Sequence, residues 1–242
     1  MPHFELIGHR GYPARYPENT LLGFEQAIEA GARYLECDVQ LSADGIPFVF
    51  HDRTLDRLCG VEGAIHQLSA EQLERHSPYI PQRFGQRFRG IPMLRVERLV
   101  ALLKQHPEVT LFLELKRGML RSHSPQSAVA KIIAAIEIVR PQVVLISFSI
   151  KMLACAQQQG WSRLAPVLTQ WYQLQQRSTL KLNPEWLFLD YLKIPPNCRS
   201  LSPKLAVYEV SDISDAQALA QQGVCWIETD SIAEMLAARS GL

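Results

Sequence analysis

Leu35-Glu36-Cys37-Asp38-Val39-Gln40-Leu41-Ser42-Ala43-Asp44-Gly45-Ile46-Pro47-Phe48-Val49-Phe50-His51-Asp52 gathers two acids, a histidine and a turn in an otherwise strand-like stretch. Asp44-Gly45 accepts positive φ and is flanked by apolar runs, which is a strong hairpin signal. A two-residue turn predicts Asp38 opposite His51, with Glu36 on the face of Asp38 because side chains in a strand repeat every two residues. Two carboxylates and an imidazole then converge, as metal sites and acid/base sites require. The alternative for this stretch alone is an edge hairpin with a wet face.

Around it, the alternation of strand and helix is regular. Phe4 to Ile7 reads as a strand ending in Gly8-His9-Arg10-Gly11, where two glycines flank a cationic pair. The Asn19-Thr20 cap leads into a helix with apolar positions at Leu21, Phe24 and Ile28, stopped at Gly31. Residues 53 to 95 break the rhythm with Gly, Pro, Arg and His and one clear short helix, Ser69 to Glu74, which predicts an inserted subdomain or lid. Beyond it come helix 96 to 105, strand 109 to 115, helix 127 to 139, strand 143 to 148 and helix 150 to 159. Strands 164 to 168, 186 to 190, 205 to 210 and 225 to 228 follow, with a helix at 215 to 222 and a last one opened by a Ser231-x-x-Glu234 capping box. Repeated units of this length imply parallel strands with right-handed crossovers. Nine strand-like runs then predict an α/β TIM (β/α)8 barrel whose spare strand is one arm of the hairpin. No Gly-x-Gly-x-x-Gly turn follows the first strand, which argues against an open doubly wound sheet.

Composition narrows the function classes. The 242 residues are 47% hydrophobic and 20% charged, enough for one globular domain, residues 1–242, with a sizeable core. A formal net charge of +1 provides no bulk field for nucleic acid or an anionic membrane. The local Arg83, Arg87 and Arg89 cluster reads as solvated surface. No apolar run approaches the roughly 18 residues that span a bilayer, and no secretory leader is visible. Five cysteines without a Cys-x-x-Cys pair point to reduced thiols and a cytoplasmic location.

Polar residues collect where the predicted strands end: His9 and Arg10, Glu36 and Asp38, His51 and Asp52, Glu114 and Lys116, Ser147, Asp190, Glu209 and Asp230. In a barrel those ends form one face, the one that carries active sites. Glu36, Asp38 and Glu114, with no cysteine pattern beside them, suit a hard divalent cation such as Mg2+ or Ca2+. Arg10 and Lys116 supply positive charge for an anion, and His9 and His51 make an acid and base pair. Metal, cations and two histidines together form a phosphoester-cleaving set. For Asn19-Thr20 a helix cap is the simpler reading, and for Asp190 and Asp230 a turn.

His9-Arg10-Gly11, Glu18-Asn19-Thr20, Glu36-x-Asp38-Val39, Asp44-Gly45, His51-Asp52, Glu114-Leu115-Lys116, Ser147-Phe148 and Thr229-Asp230 resemble, in order, the motif series of the glycerophosphodiester phosphodiesterases of the bacterial, cytosolic type. The resemblance implies a TIM barrel with a small insertion after the His51-Asp52 strand. It also implies hydrolysis of small glycerophosphodiesters to glycerol 3-phosphate and an alcohol such as choline or ethanolamine. Glu36, Asp38 and Glu114 match the metal ligands, His9 and His51 the acid and base, and Arg10 and Lys116 the phosphate contacts. Phe148 and Tyr208 are expected as substrate contacts, Tyr208 offering an aromatic face to the glycerol moiety where relatives carry a tryptophan. The C-terminal part departs from the pattern: Tyr208-Glu209-Val210-Ser211 replaces Trp-Thr-Val-Asn, and Gly223-Val224-Cys225-Trp226 replaces Gly-Val-Asp-Gly. Glu209 and Trp226 are therefore expected to reshape the alcohol pocket. Two other readings remain open: a phospholipase D-like activity on lysophospholipids, with an acyl groove from Phe84, Phe88 and Met93, and a non-catalytic phosphodiester-binding barrel. The expected partner is the small-molecule substrate, without nucleic acid or stable membrane insertion, for a monomer or homodimer.

Overall fold

The computed structural model describes residues 3–196, 198 and 203–241. Eight parallel strands close into a barrel: β1 (Glu5–Gly8), β2 (Tyr34–Leu41), β5 (Thr110–Leu115), β6 (Val143–Ser147), β7 (Leu164–Leu168), β8 (Trp186–Asp190), β9 (Lys204–Tyr208) and β10 (Trp226–Thr229). The ring shuts because β1 pairs with both β10 and β2, with Ile7 beside Glu228 on one side and beside Tyr34 on the other. Helices α1 (Leu21–Glu29), α2 (Val96–Gln105), α3 (Pro125–Ile136), α4 (Ile150–Gln158), α5 (Ile213–Gln221) and α6 (Ile232–Ser240) lie outside it. The sequence places their ends locally. Thr20 caps α1 by accepting from the Gly23 amide, and Ser124 caps α3 ahead of Pro125, whose missing N–H costs nothing at that position.

Period-two alternation divides the core in two. Outward residues of β2 and β5, among them Leu35, Cys37, Leu111 and Leu113, join the large cluster packed under the helices. Inward residues make a second cluster, in which Phe112, Trp186 and Phe188 meet edge to face at 5.0 to 5.4 Å. This aromatic layer fills the lower barrel, so polar inward side chains are displaced to its C-terminal mouth. Trp226 belongs to the lower layer: its ring contacts Trp186 and Tyr34. The expectation that it shapes the alcohol pocket is thus corrected, because it starts β10 and sits one inward position below Glu228.

The hairpin register also differs from expectation. β3 (Pro47–Val49) pairs with β2 so that Gln40 faces Phe48 and Val39 faces Val49, and the Phe50 amide bonds the Asp38 carbonyl. Asp38 therefore stands opposite Phe50, and His51 lies past the ladder. The turn is wider than two residues: Ser42 pairs with Ile46 across it, and Gly45 alone takes positive φ, at 82°. A three-residue loop ending in a left-handed glycine accounts for that slip. Asp44 stays inside it, accepting from the Ser42 hydroxyl and the Ala70 amide. A further strand that the sequence did not signal, β4 (Leu94–Arg95), adds to β3 antiparallel. Its two residues are too few to show a period.

Residues between β3 and β4 form short helices at Asp56–Cys59, Ala70–Leu73 and Pro81–Phe84 around an apolar cluster of their own. Phe48 and Phe50 of the hairpin arm anchor that cluster to the barrel. At the other end of the chain Ser231 forms no side-chain cap; Glu234 instead accepts from the Tyr12 hydroxyl and Arg15.

Candidate active site

A cleft of about 140 Å³ opens at the barrel mouth and is lined, among others, by His9, Arg10, Glu36, His51, Glu114 and Lys116. The expected substrate contacts Phe148 and Tyr208 line it as well, as does Glu209. Asp38 lies directly beneath the cations, with Lys116 Nζ 3.2 Å and Arg10 Nε 3.2 Å from its carboxylate. The expected metal ligands, acid and base, phosphate contacts and substrate contacts are therefore all in or against one cleft, while Trp226 is not. Phe84, Phe88 and Met93 are not: Phe88 and Met93 are buried, and Phe88 packs its ring on Phe84 and Tyr16.

Local backbone geometry explains the convergence. His9 follows β1 directly, and Arg10 then takes φ of 50°, which turns its amide onto the Glu36 carboxylate at 3.2 Å. Gly8 and Gly11 are required here: a Cβ on Gly8 would stand 2.7 Å from the Gly11 carbonyl, and Gly11 has φ of 89°. Glu36, Asp38 and Glu114 come from alternate inward positions of adjacent strands, Asp38 and Glu114 being register partners. His51 arrives by another route. The amide nitrogen of buried Gln40 sits 3.1, 3.1 and 2.5 Å from the carbonyl oxygens of Phe50, His51 and Asp52, and so sets the path of the chain as it leaves β3.

The two imidazoles are held alike. His9 Nδ1 lies 2.8 Å from Asp230 and His51 Nδ1 lies 2.7 Å from Asp52. An ionised carboxylate only accepts, so each Nδ1 is the donor and each Nε2 is left for the cleft. Asp230 thus does more than shape a turn, whereas Asp190 does form one, accepting from the Leu192 amide. Asn19 is likewise no cap. It takes φ of 57° and grips Asp38, donating from Nδ2 at 2.8 Å and accepting from the Asp38 amide.

Charge is distributed unevenly among the acids. Burial works against the Asp38 carboxylate, yet Lys116, Arg10 and His51 outweigh it and hold its pKa below the ordinary value. Burial, reinforced by Asp38, raises Glu36 well above its ordinary pKa and raises Glu114 too. Burial also opposes charging of His9, but Glu228, Asp230 and Glu36 together lift its pKa to about 10. Glu36 and Glu114 therefore want a cation more than the site's own cations provide. One carboxylate oxygen from each of Glu36, Asp38 and Glu114 lies within 4.8 Å of the others, close enough to ligate one ion.

A model of the glycerophosphoryl diester phosphodiesterase family matches residues 9–234. The chain belongs to that family. Its members are hydrolases, and the motifs from His9 to Asp230 lie inside the matched span. A glycerophosphodiester phosphodiesterase from Caldanaerobacter subterraneus subsp. tengcongensis is 26% identical over 231 residues, 93% of each chain. One from Bacillus altitudinis is 32% identical over 117 residues, 48% of this chain and 47% of its own length. Among solved structures, a phosphodiesterase from Oleispira antarctica in complex with the product sn-glycerol-3-phosphate superposes with a TM-score of 0.85 at 22% identity, covering 98% of this chain and 96% of its own. That likeness shows the same fold.

Beyond the family motifs, the site includes Arg57 and Glu228. Arg57, from the segment after β3, donates to both oxygens of Glu18 at 2.7 and 2.9 Å and to both of Asp52 at 2.7 Å. Glu18 also accepts from Arg10 at 2.9 Å, so one network runs from His51 to Arg10. Nothing in the spacing of Arg57 announces this. Glu228 is buried, faces the cleft and stands 3.7 Å from His9 Nε2. Its signal was available, since it precedes Asp230 by the two-residue period of an inward strand face.

Proposed function

We propose that this chain is a divalent-cation-dependent phosphodiesterase that cleaves small glycerophosphodiesters, such as glycerophosphocholine or glycerophosphoethanolamine, to glycerol 3-phosphate and the alcohol. The observation that carries the reading is the pair of imidazoles, each with Nδ1 bound to an aspartate and Nε2 left for one cleft that also holds Arg10 and Lys116. Family membership and the product bound in the Oleispira antarctica relative support the substrate class.

Glu36, Asp38 and Glu114 would hold the cation. An all-oxygen set with two carboxylates made costly by burial fits Mg2+ or Ca2+. When bound, that ion supplies positive charge against the phosphoryl oxygens. Arg10 and Lys116 orient the phosphate by charge-assisted hydrogen bonds. One histidine takes a proton from the nucleophile at Nε2, and the other gives a proton to the leaving alkoxide from Nε2. Asp230 and Asp52 fix the ring orientation that makes this possible. Phe148 and Tyr208 present aromatic faces to the organic part of the substrate. The whole chain serves as one catalytic domain, residues 53–95 being an accessory insertion that delivers Arg57, and its five free cysteines fit a reducing cytoplasm.

The test is incubation with glycerophosphocholine and glycerophosphoethanolamine, with added Mg2+ or Ca2+ or with chelator. Glycerol 3-phosphate is expected only with the cation, and no release from either substrate under any of these conditions overturns the reading. His9→Ala and His51→Ala are expected to abolish turnover while retaining the far-UV spectrum and melting temperature within a few degrees. Glu36→Ala is expected to raise the cation concentration needed. Wild-type rates in either histidine variant would remove the acid/base assignment.

A further inference from the structure

We infer that His9, Glu36 and Glu228 form a second cation site in the cleft, suited to a nitrogen-accepting divalent ion such as Zn2+, and that filling it inhibits the enzyme. One imidazole nitrogen and two carboxylate oxygens lie within 4.8 Å of one another, and all three residues are buried. His9 Nε2 is 3.7 Å from Glu228 Oε1 and 3.9 Å from Glu36 Oε2. Those gaps exceed a hydrogen bond. They are close to the separation of about 3.4 Å between neighbouring donors around a tetrahedral ion with bonds near 2.1 Å.

A second observation points to a ligand rather than to packing. The Glu228 side chain is 5% exposed and aims into the cleft, yet among the described residues it accepts no hydrogen bond. His9 Nε2, 9% exposed at the side chain, also makes none, its ring being held from Nδ1 alone. The two ends meet as an ion pair 3.7 Å apart, longer than a hydrogen bond, which leaves room for an ion between them. Electrostatics favours the ion. The cleft lining carries Glu36, Glu114, Glu209 and Glu228 against Arg10, Lys116 and, while protonated, His9, so an ion bound at Nε2 replaces that ring's proton and keeps positive charge among the acids.

The donor chemistry separates the two sites. Glu36, Asp38 and Glu114 offer oxygen only, whereas this group offers an imidazole, which shifts preference from Mg2+ or Ca2+ toward Zn2+. Glu36 belongs to both groups and has two oxygens to share. An ion on His9 Nε2 occupies the atom that the proposed mechanism uses for proton transfer, so the inhibitory half of this inference rests on that role of His9, and the binding half does not.

The full-length protein in saturating Mg2+ is dialysed against micromolar Zn2+, and bound zinc is counted by mass spectrometry for wild type and Glu228→Gln. Wild type is expected to bind one Zn2+ per chain, with the His9 ring nitrogen signal shifted in 15N NMR, and Glu228→Gln to bind it at least tenfold more weakly. Mg2+-supported turnover of wild type is expected to fall in step with Zn2+ occupancy. Equal zinc affinity in the two proteins, or zinc binding that leaves the His9 signal in place, overturns the inference. If Glu228→Gln does not fold, the wild-type zinc count and His9 signal decide alone: absence of either refutes the site. A wild type that binds zinc at His9 but never turns over glycerophosphodiesters overturns the proposed function and leaves the site standing.

Discussion

Arg57→Met keeps the aliphatic stem and removes the guanidinium that clamps Glu18 and Asp52. Arg57 is 43% exposed at the side chain, but Glu18 is 9% and Asp52 21% exposed. Stripping one partner from a fully buried ion pair costs about 3 to 5 kcal/mol, whereas exposed pairs contribute about 0 to 1 kcal/mol. With two carboxylates left partly buried and the arginine itself half in solvent, a loss of about 2 kcal/mol is expected. Glu18 keeps Arg10 as a partner and Asp52 keeps His51, so the fold survives. Catalysis is affected separately. Asp52, released on the Arg57 side, no longer holds the His51 ring in one orientation, and an ångström of misplacement costs up to about a hundredfold. Urea unfolding measures the first effect, and kcat against KM for glycerophosphocholine at saturating cation measures the second. The expected pattern is a kcat loss of about ten to a hundredfold with KM within about threefold. An unfolding free energy within about 0.5 kcal/mol of wild type together with unchanged kcat would refute the reasoning, because it would mean that the network from His51 to Arg10 does not constrain the ring.

The remaining predictions concern the same cleft. Burial lifts the Glu228 pKa from 4.5 to about 7, although His9 and Arg10 oppose the rise, and His9 itself goes from 6.5 to about 10. Both folded values lie above the unfolded ones, so the stability they contribute is fully present below the unfolded pKa and lost as pH rises through the folded pKa. The cation-free protein should therefore lose about 3 kcal/mol between about pH 5 and pH 8 from Glu228, and more toward pH 10 from His9. Melting curves across that range check this, and saturating Mg2+ or Ca2+ should flatten the decline; a flat cation-free profile contradicts it. Gly118→Ala places a Cβ 2.6 Å from Gln40 Oε1. Moving Gln40 loosens the 50–52 carbonyls, so kcat should fall about tenfold with a stability loss of about 1 to 2 kcal/mol, which kinetics and urea melts together would reveal. Asp230→Asn keeps the shape but removes the charged acceptor at His9 Nδ1. It should lower kcat by a hundredfold or more with little change in KM, and an unaltered kcat would show that His9 needs no such partner.

Much of this protein is local information. The strand and helix rhythm, the Thr20 and Ser124 caps, and the inward faces that carry Glu36, Asp38 and Glu114 follow from periodicity and side-chain chemistry a few residues apart. His9-Arg10, the acids of β2 and Glu114-x-Lys116 were legible because strand ends in a closed barrel share one face, whatever the angles between strands.

What the chain order could not convey depends on contacts across it. The hairpin slipped by one residue because Ser42, Asp44 and Gly45 build a wider turn, and the choice between turns is settled by backbone hydrogen bonds and by the Asp44 contact with the Ala70 amide. His51 nevertheless reached the cleft, steered by Gln40 after the ladder ended. Arg57 was invisible because its partners, Glu18 and Asp52, are joined to it only when the segment after β3 folds back over the mouth. The same holds for the unbridged gap between His9 and Glu228: β1 and β10 are the two ends of the described barrel, and only ring closure brings them together. Sequence alone determined which side chains are offered to the mouth; tertiary structure decided which are neutralised and which are left in need of a cation, since burial and charge pairing depend on every strand at once.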